Sequence, residues 1–171
     1  GSLVAPNRLR FDFSHFNPMT DAEVMEVETL VNERVLLNQA VDTKEMDYDS
    51  AIKAGATAFF GEKYGDTVRV VSMTDSVELC GGTHVGATGD IGCFKIVSES
   101  GVSSGVRRIE AVTGRGTLAW FHGQEEERRG LAQDLKVDPV NVREKVAKLL
   151  RQLQEAQQEN GKLRGQMASA M

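Results

Sequence analysis

Cysteine, proline and aromatic residues are all scarce in this 171-residue chain, which has two cysteines, three prolines and 6% aromatic residues. Two cysteines cannot staple a chain of this length, which excludes a disulfide-rich secreted scaffold and favours a reducing compartment. The chain also lacks an apolar run long enough to cross a membrane and the basic-then-apolar order of a secretory signal. These absences predict a cytoplasmic protein.

Basic residues are also fewer than acidic ones, 20 against 25. The formal net charge is −5 and the sequence pI is about 5.3, which excludes a generic polyanion binder of the histone kind. Any contact with RNA must therefore come from a local patch. An apolar content of 40% is enough for one hydrophobic core. Because the chain opens with Gly1-Ser2 and no initiator methionine, we expect it to be a piece of a longer protein.

The N-terminal third combines a strand and a helix. Residues 8–14 alternate apolar and polar side chains, which predicts a half-buried strand with Phe11 among the residues facing a core. Thr20 and Glu23 have the spacing of a capping box, in which each side chain bonds the backbone N–H of the other. A helix is therefore predicted from this point to about Asn38, along which valine and leucine recur at helical spacing.

The middle of the chain adds strands and one short helix. Further strands are predicted at residues 41–46, 67–73, 77–79, 91–97 and 106–112, with a short helix at 48–54 stopped by Gly55. The last two strands are expected to form a hairpin that turns through residues 101–105. Cys93 would lie inside the first of them as a small hydrophobic residue. This mixture predicts an α+β fold with a mixed or antiparallel sheet packed with helices.

The last third has helical character throughout. Residues 115–135 are helix-like, and Asp138-Pro139 is a favourable helix start. In residues 142–167, mostly apolar residues recur at alternating steps of four and three, which is typical of the seam of a coiled coil. Asn160 is one of the seam positions. We predict one domain at residues 1–136 and a long coiled-coil-like helix at 137–171. Its seam either supports self-association through 142–167 or packs on the globular part.

The segment Cys80-Gly81-Gly82-Thr83-His84 carries the sharpest chemical signal. A thiolate and an imidazole are ligands that Zn²⁺ prefers, and the glycine pair favours a tight turn that brings the two together. The spacing alone is also compatible with a buried cysteine beside a surface histidine, which taken in isolation is the more common case. Two ligands cannot close a tetrahedral site, so a zinc centre at Cys80 and His84 needs partners elsewhere.

A second segment places hydroxyls beside two guanidinium groups. Ser103 and Ser104 lie in a glycine-flanked turn, and Arg107 and Arg108 follow after two intervening residues. Arginine matches phosphate oxygens in a bidentate manner, so the segment is a candidate RNA contact. The alternative is a hairpin turn followed by surface ion pairs between arginine and glutamate. On a strand the two arginines point to opposite faces, so at most one faces a given ligand.

Taken together, four segments resemble alanyl-tRNA synthetase, in order and at fitting distances. They are residues 1–4 (GSLV), 8–16 (RLRFDFSHF), 80–85 (CGGTHV) and 98–114 (SESG through GVRRIEAVTG). The resemblance covers essentially the whole chain, including the heptad-like tail, which is similar to the linker toward that enzyme's C-terminal domain. It identifies the chain as the C-terminal part of an editing domain and the start of that linker.

The resemblance implies a domain that hydrolyses mischarged seryl- and glycyl-tRNA(Ala), within a parent enzyme that ligates alanine to tRNA using ATP. It implies one Zn²⁺ held by Cys80, His84 and an upstream His-x-x-x-His pair, which would lie before Gly1. We therefore expect impaired activity in the 171 residues alone. Thr83 would contact substrate or water, unless it serves the turn only. The acceptor end of tRNA(Ala) would be the partner.

Two other classes of protein compete with this interpretation. One is a free-standing editing protein, or the related editing domain of threonyl-tRNA synthetase, although neither needs the long helical tail. The other is a non-catalytic interaction module in which the tail helix associates through its seam and the globular part is only a scaffold.

Overall fold

The computed structural model describes residues 1–58 and 64–169, and within these ranges seven strands and four α-helices follow one another. The strands are β1 Ser2–Ala5, β2 Arg8–Ser14, β3 Val41–Asp47, β4 Thr67–Met73, β5 Ser76–Leu79, β6 Phe94–Ser103 and β7 Val106–Thr113. The helices are α1 Asp21–Leu36, α2 Tyr48–Lys53, α3 Gly114–Leu135 and α4 Val142–Ser169. The predicted α+β class, with a long C-terminal helix, is confirmed.

The strands form two antiparallel sheets, one of four strands in the order β1-β2-β7-β6 and one of three strands in the order β3-β4-β5. The four-stranded sheet packs one face on α1: Phe94, Ile96 and Ala111 are buried there, and Val24 and Val27 of the helix pack against them. This is the apolar stripe expected from the spacing of valines in α1.

Helix α1 begins with the predicted capping box. The Glu23 backbone N–H donates to the Thr20 hydroxyl at 3.2 Å, and the Thr20 backbone N–H donates to the Glu23 carboxylate at 2.7 Å. Two of the N–H groups that a helix start leaves unsatisfied are thereby paired. The predicted start of the helix is confirmed.

The three-stranded sheet has a separate small core that includes α2. Ala51, Val68, Val70 and Leu79 are buried together, which sets β4 and β5 firmly against the helix. Gly55, with φ +90°, follows α2 in a conformation that costs glycine little, so the predicted helix stop is also confirmed.

Three details of the N-terminal two-thirds differ from the sequence-based expectations. The hairpin strand begins at Phe94 rather than at residue 91, and it continues through most of the predicted turn, because bulges let the residues up to Ser103 pair with β7. Cys93 precedes that strand and is exposed, instead of lying inside it as a small hydrophobic residue. Phe11 is 48% exposed and stacks on Phe13, since α1 covers only part of the sheet.

The chain divides into two compact units, Gly1–Leu118 and Ala119–Met171. In the second unit, Asp138 caps a 3₁₀ turn at Pro139–Asn141 that leads into α4. Seam positions of α4 are largely exposed, for example Leu153 at 55%. The boundary predicted near residue 136, between one domain and a long coiled-coil-like helix, stays a prediction. Among the helices of the described ranges, none combines the length and apolarity that a bilayer crossing requires.

Candidate metal centre

The segment from Cys80 to His84 is a loop tied at both ends to the three-stranded sheet. The Cys80 backbone N–H donates to the carbonyl oxygen of Arg69 at 3.1 Å, directly after the end of β5. Further along, the Val41 backbone N–H donates to the carbonyl oxygen of Gly86 at 2.9 Å. The loop therefore starts beside β4 and returns to β3, and residues 81–84 between these anchors are exposed.

Gly82 shows where the two candidate ligands lie. A Cβ atom built on Gly82 would meet the Cys80 sulfur at 3.6 Å and the Cε1 atom of His84 at 3.9 Å. Both side chains therefore border the same small space above the Gly82 backbone. Cys80 is half-buried and His84 is exposed. One position beside the Gly82 backbone therefore lies within 4 Å of an atom of each side chain, and the predicted zinc pair stays a prediction.

The donor chemistry of this pair fits zinc, but the pair is not a complete site. Thiolate and imidazole are the common ligands of tetrahedral Zn²⁺, which needs four ligands, or three and an open position. Across residues 1–58 and 64–169, no group of three or more His, Cys, Asp or Glu side chains is placed to hold a metal. A zinc ion at Cys80 and His84 would need further ligands.

Arg69 is a component of this site that the sequence analysis missed. Its Nη1 atom donates to the carbonyl oxygens of Cys80 at 2.7 Å and Gly82 at 2.6 Å. The only sequence signal was one basic residue within the β-branched run of β4, and nothing in the linear order links it to residues 11 to 13 positions later. Thr83 lies exposed between the two candidate ligands.

The two arginines of the second candidate site each form a bidentate ion pair. The Nε and Nη2 atoms of Arg107 donate to the carboxylate of Glu99, and those of Arg108 donate to Asp12 at 2.6 and 2.9 Å. Hydrogen bonds from these guanidinium groups hold the pKa values of both carboxyl groups below their ordinary range. An RNA phosphate would have to compete with these carboxylates for either arginine.

The strand register also confirms that the two arginines point to opposite faces. Arg107 lies opposite Phe13 of β2, and Arg108 lies opposite Asp12, so the pair alternates across the sheet. Ser103 ends β6 and Ser104 lies in the turn before Gly105, which has φ +70°; both serines are exposed. This hairpin belongs to the four-stranded sheet, whereas the Cys80–His84 loop leaves the three-stranded one.

Comparison with known proteins places the chain in a class of synthetases. Residues 68–110, which include the Cys80–His84 loop, match the family described as the threonyl and alanyl tRNA synthetase second additional domain. Proteins described as alanine–tRNA ligase are similar over 99% of the chain: 52% identity in Polaromonas naphthalenivorans, 53% in Acetivibrio thermocellus and 50% in Bordetella pertussis.

Within this class, the similarity over 99% of the chain points to one family. The chain belongs to the alanyl-tRNA synthetase family and corresponds to its editing-domain region. It spans about a fifth of the length of these relatives, since it covers 20% of the Polaromonas protein and 19% of the Acetivibrio protein.

Proposed function

We propose that this chain contributes to the site at which alanyl-tRNA synthetase hydrolyses mischarged seryl- and glycyl-tRNA(Ala). The observation that carries the proposal is the convergence of Cys80 and His84 above Gly82, inside the segment that matches the synthetase domain. An editing site is useful in such an enzyme because a pocket built for alanine rejects an added hydroxyl poorly. A second site that bonds this hydroxyl can select serine for removal.

In this proposal Cys80 and His84 hold one Zn²⁺ together with a His-x-x-x-His pair supplied from outside the 171 residues. When bound, zinc supplies a Lewis acid that orients the aminoacyl group or lowers the pKa of a water molecule. The exposed hydroxyl of Thr83, between the two ligands, contacts the substrate or the attacking water. With two of four ligands present, the 171 residues alone would bind zinc weakly and be impaired as a deacylase.

The proposed partner is the acceptor end of tRNA(Ala). Ser103 and Ser104 offer exposed hydroxyls in the β6–β7 turn, and Arg107 and Arg108 add positive charge on the two faces of the sheet. Because both guanidinium groups are already paired with carboxylates, the serines and the turn backbone would make the first contacts. The arginines would follow only if RNA phosphates displace their partners.

The comparisons favour the alanyl enzyme over the threonyl alternative. The matched family includes both, but identity of about 50% with alanine–tRNA ligases extends over 99% of the chain, including the tail helix. We propose that the parent protein is an alanine–tRNA ligase with editing activity, and that its ATP-dependent aminoacylation site lies outside this chain.

Self-association through α4 is a second candidate function, and the exposed seam favours it. Val146, Leu153 and Met167 are 41%, 55% and 72% exposed. Burial of such a stripe against another helix would stabilise a coiled coil by removing apolar surface from water. In this role the tail helix acts as an assembly element and takes no part in the chemistry.

Zinc content and deacylation of seryl-tRNA(Ala) test the main proposal. We would compare the 171-residue chain with a version extended upstream to include the His-x-x-x-His pair, each with Cys80→Ala and, as a matched control, Cys93→Ala. The extended version should hold one zinc and deacylate, Cys80→Ala should lose both properties, and Cys93→Ala should keep them. Full zinc occupancy and activity in the extended Cys80→Ala variant would contradict the proposal.

A further inference from the structure

We infer that Arg69 is a positioning residue, which holds the backbone between the two candidate ligands in a single conformation. Its Nη1 atom bonds the carbonyl oxygens of Cys80 and Gly82, at 2.7 and 2.6 Å. The Arg69 guanidinium group thus links Cys80, at the start of the loop, to Gly82, the glycine beside which the Cys80 and His84 side chains lie. The inference rests on the proposed function only where it concerns metal affinity.

The loop needs such a support because its own sequence provides little rigidity. The β4–β5 ladder ends at Leu79, and Gly81 and Gly82 are exposed with no side chain to pack. Glycine loses more conformational freedom on ordering than any other residue. Hydrogen bonds from a guanidinium group are stronger than neutral ones, so a single side chain offsets part of this cost.

Arg69 itself is well placed to act as a fixed point. It lies in β4, the central strand of its sheet, between the buried residues Val68 and Val70. Its own carbonyl oxygen accepts the N–H of Cys80 at 3.1 Å, so Cys80 is bonded by both the backbone and the side chain of the same residue. The core beneath β4 therefore transmits its rigidity directly to the loop.

The consequence concerns the geometry of the ligand pair. In the observed loop conformation, atoms of Cys80 and His84 border the same space beside Gly82. Without the Arg69 bonds, the pair would sample many separations, and a metal would have to order the loop on binding. Residues that orient metal ligands typically contribute 10- to 100-fold in affinity, which sets the expected size of the effect at about that range.

The first measurement uses the metal-free 171-residue chain. Backbone ¹⁵N order parameters at Gly81 and Gly82 should fall in Arg69→Met from values of an ordered backbone to below about 0.6. Arg34→Met is the matched control, because Arg34 bonds Asp75 at the opposite end of the β4–β5 hairpin. If Arg69→Met does not fold, Arg69→Gln, whose shorter side chain carries no charge, is measured in the same way. Unchanged order parameters at both glycines would overturn the inference.

The second measurement uses the version extended upstream to include the His-x-x-x-His pair, with Co²⁺ alone as the probe, followed by its thiolate-to-metal charge-transfer absorbance. Wild type should show this band, Cys80→Ser should lose it, and Arg69→Met should need about 10- to 100-fold more cobalt, with Arg34→Met unchanged. If wild type binds through Cys80 and Arg69→Met binds equally well, the inference fails while the proposed metal site stands. If wild type shows no band but Arg69→Met still loosens the loop, the metal site fails while the positioning role stands.

Discussion

Replacement of Thr88 by valine should destabilise the N-terminal unit more than its replacement by serine. Thr88 is 2% exposed and follows the candidate metal loop. Its hydroxyl donates to the carbonyl oxygen of Arg34 at 2.8 Å and accepts the backbone N–H of Gln39 at 3.0 Å. The Arg34 carbonyl lies in the last turn of α1, where it has no partner within the helix.

Valine preserves the shape of threonine but removes both hydrogen bonds and leaves two backbone groups unpaired. Each such bond contributes about 1 kcal/mol, and an unpaired buried group adds a further cost, so Thr88→Val should lose about 2–4 kcal/mol of unfolding free energy. Thr88→Ser keeps the hydroxyl and removes one methyl group, which costs about 1 kcal/mol. Urea unfolding of both variants measures the difference. Valine as stable as serine would refute the view that the hydroxyl, rather than packing, holds this junction.

Three further outcomes are expected. The hydrogen bond from Arg108 lowers the pKa of Asp12 below its ordinary 3.8, so this ion pair stabilises the fold above that pH and stops doing so as the pH falls through the lowered pKa. In Asp12→Asn, the urea midpoint should therefore fall less steeply than in wild type as the pH drops below about 4. Gly82→Ala should fold normally, since its methyl group would make only ordinary van der Waals contacts. It should nevertheless weaken Co²⁺ uptake, because the methyl group occupies the space that Cys80 and His84 border. Unchanged uptake would contradict the claim that both side chains border that space. Asn160→Leu should strengthen or re-register association through α4, and sedimentation at several concentrations would detect it; an unaltered mass distribution would argue against the seam.

Much of the candidate metal site could be predicted from the sequence, because its two ligands and its glycines are close neighbours in the chain. The soft and borderline donors, the tight turn and the need for outside ligands all follow from Cys80 to His84 alone. Arg69 could not be predicted, since its contact depends on which strand lies beside the end of β5. The pairing of Arg108 with Asp12, 96 positions apart, was likewise hidden, although ion pairing in general was one of two interpretations.

The sequence by itself determined the features that depend on a few adjacent residues. Examples are the capping box at Thr20 and Glu23, the helix stop at Gly55 and the alternation of side chains along β2. Residues next to one another in the chain determine each of these local backbone conformations. Only the tertiary structure decided how far the β6 strand extends, that Phe11 stays half-exposed, and that Arg69 bonds the Cys80–His84 loop. Each of these depends on which distant surface packs or pairs with the residue, and burial and hydrogen bonding between distant segments have no counterpart in the linear order.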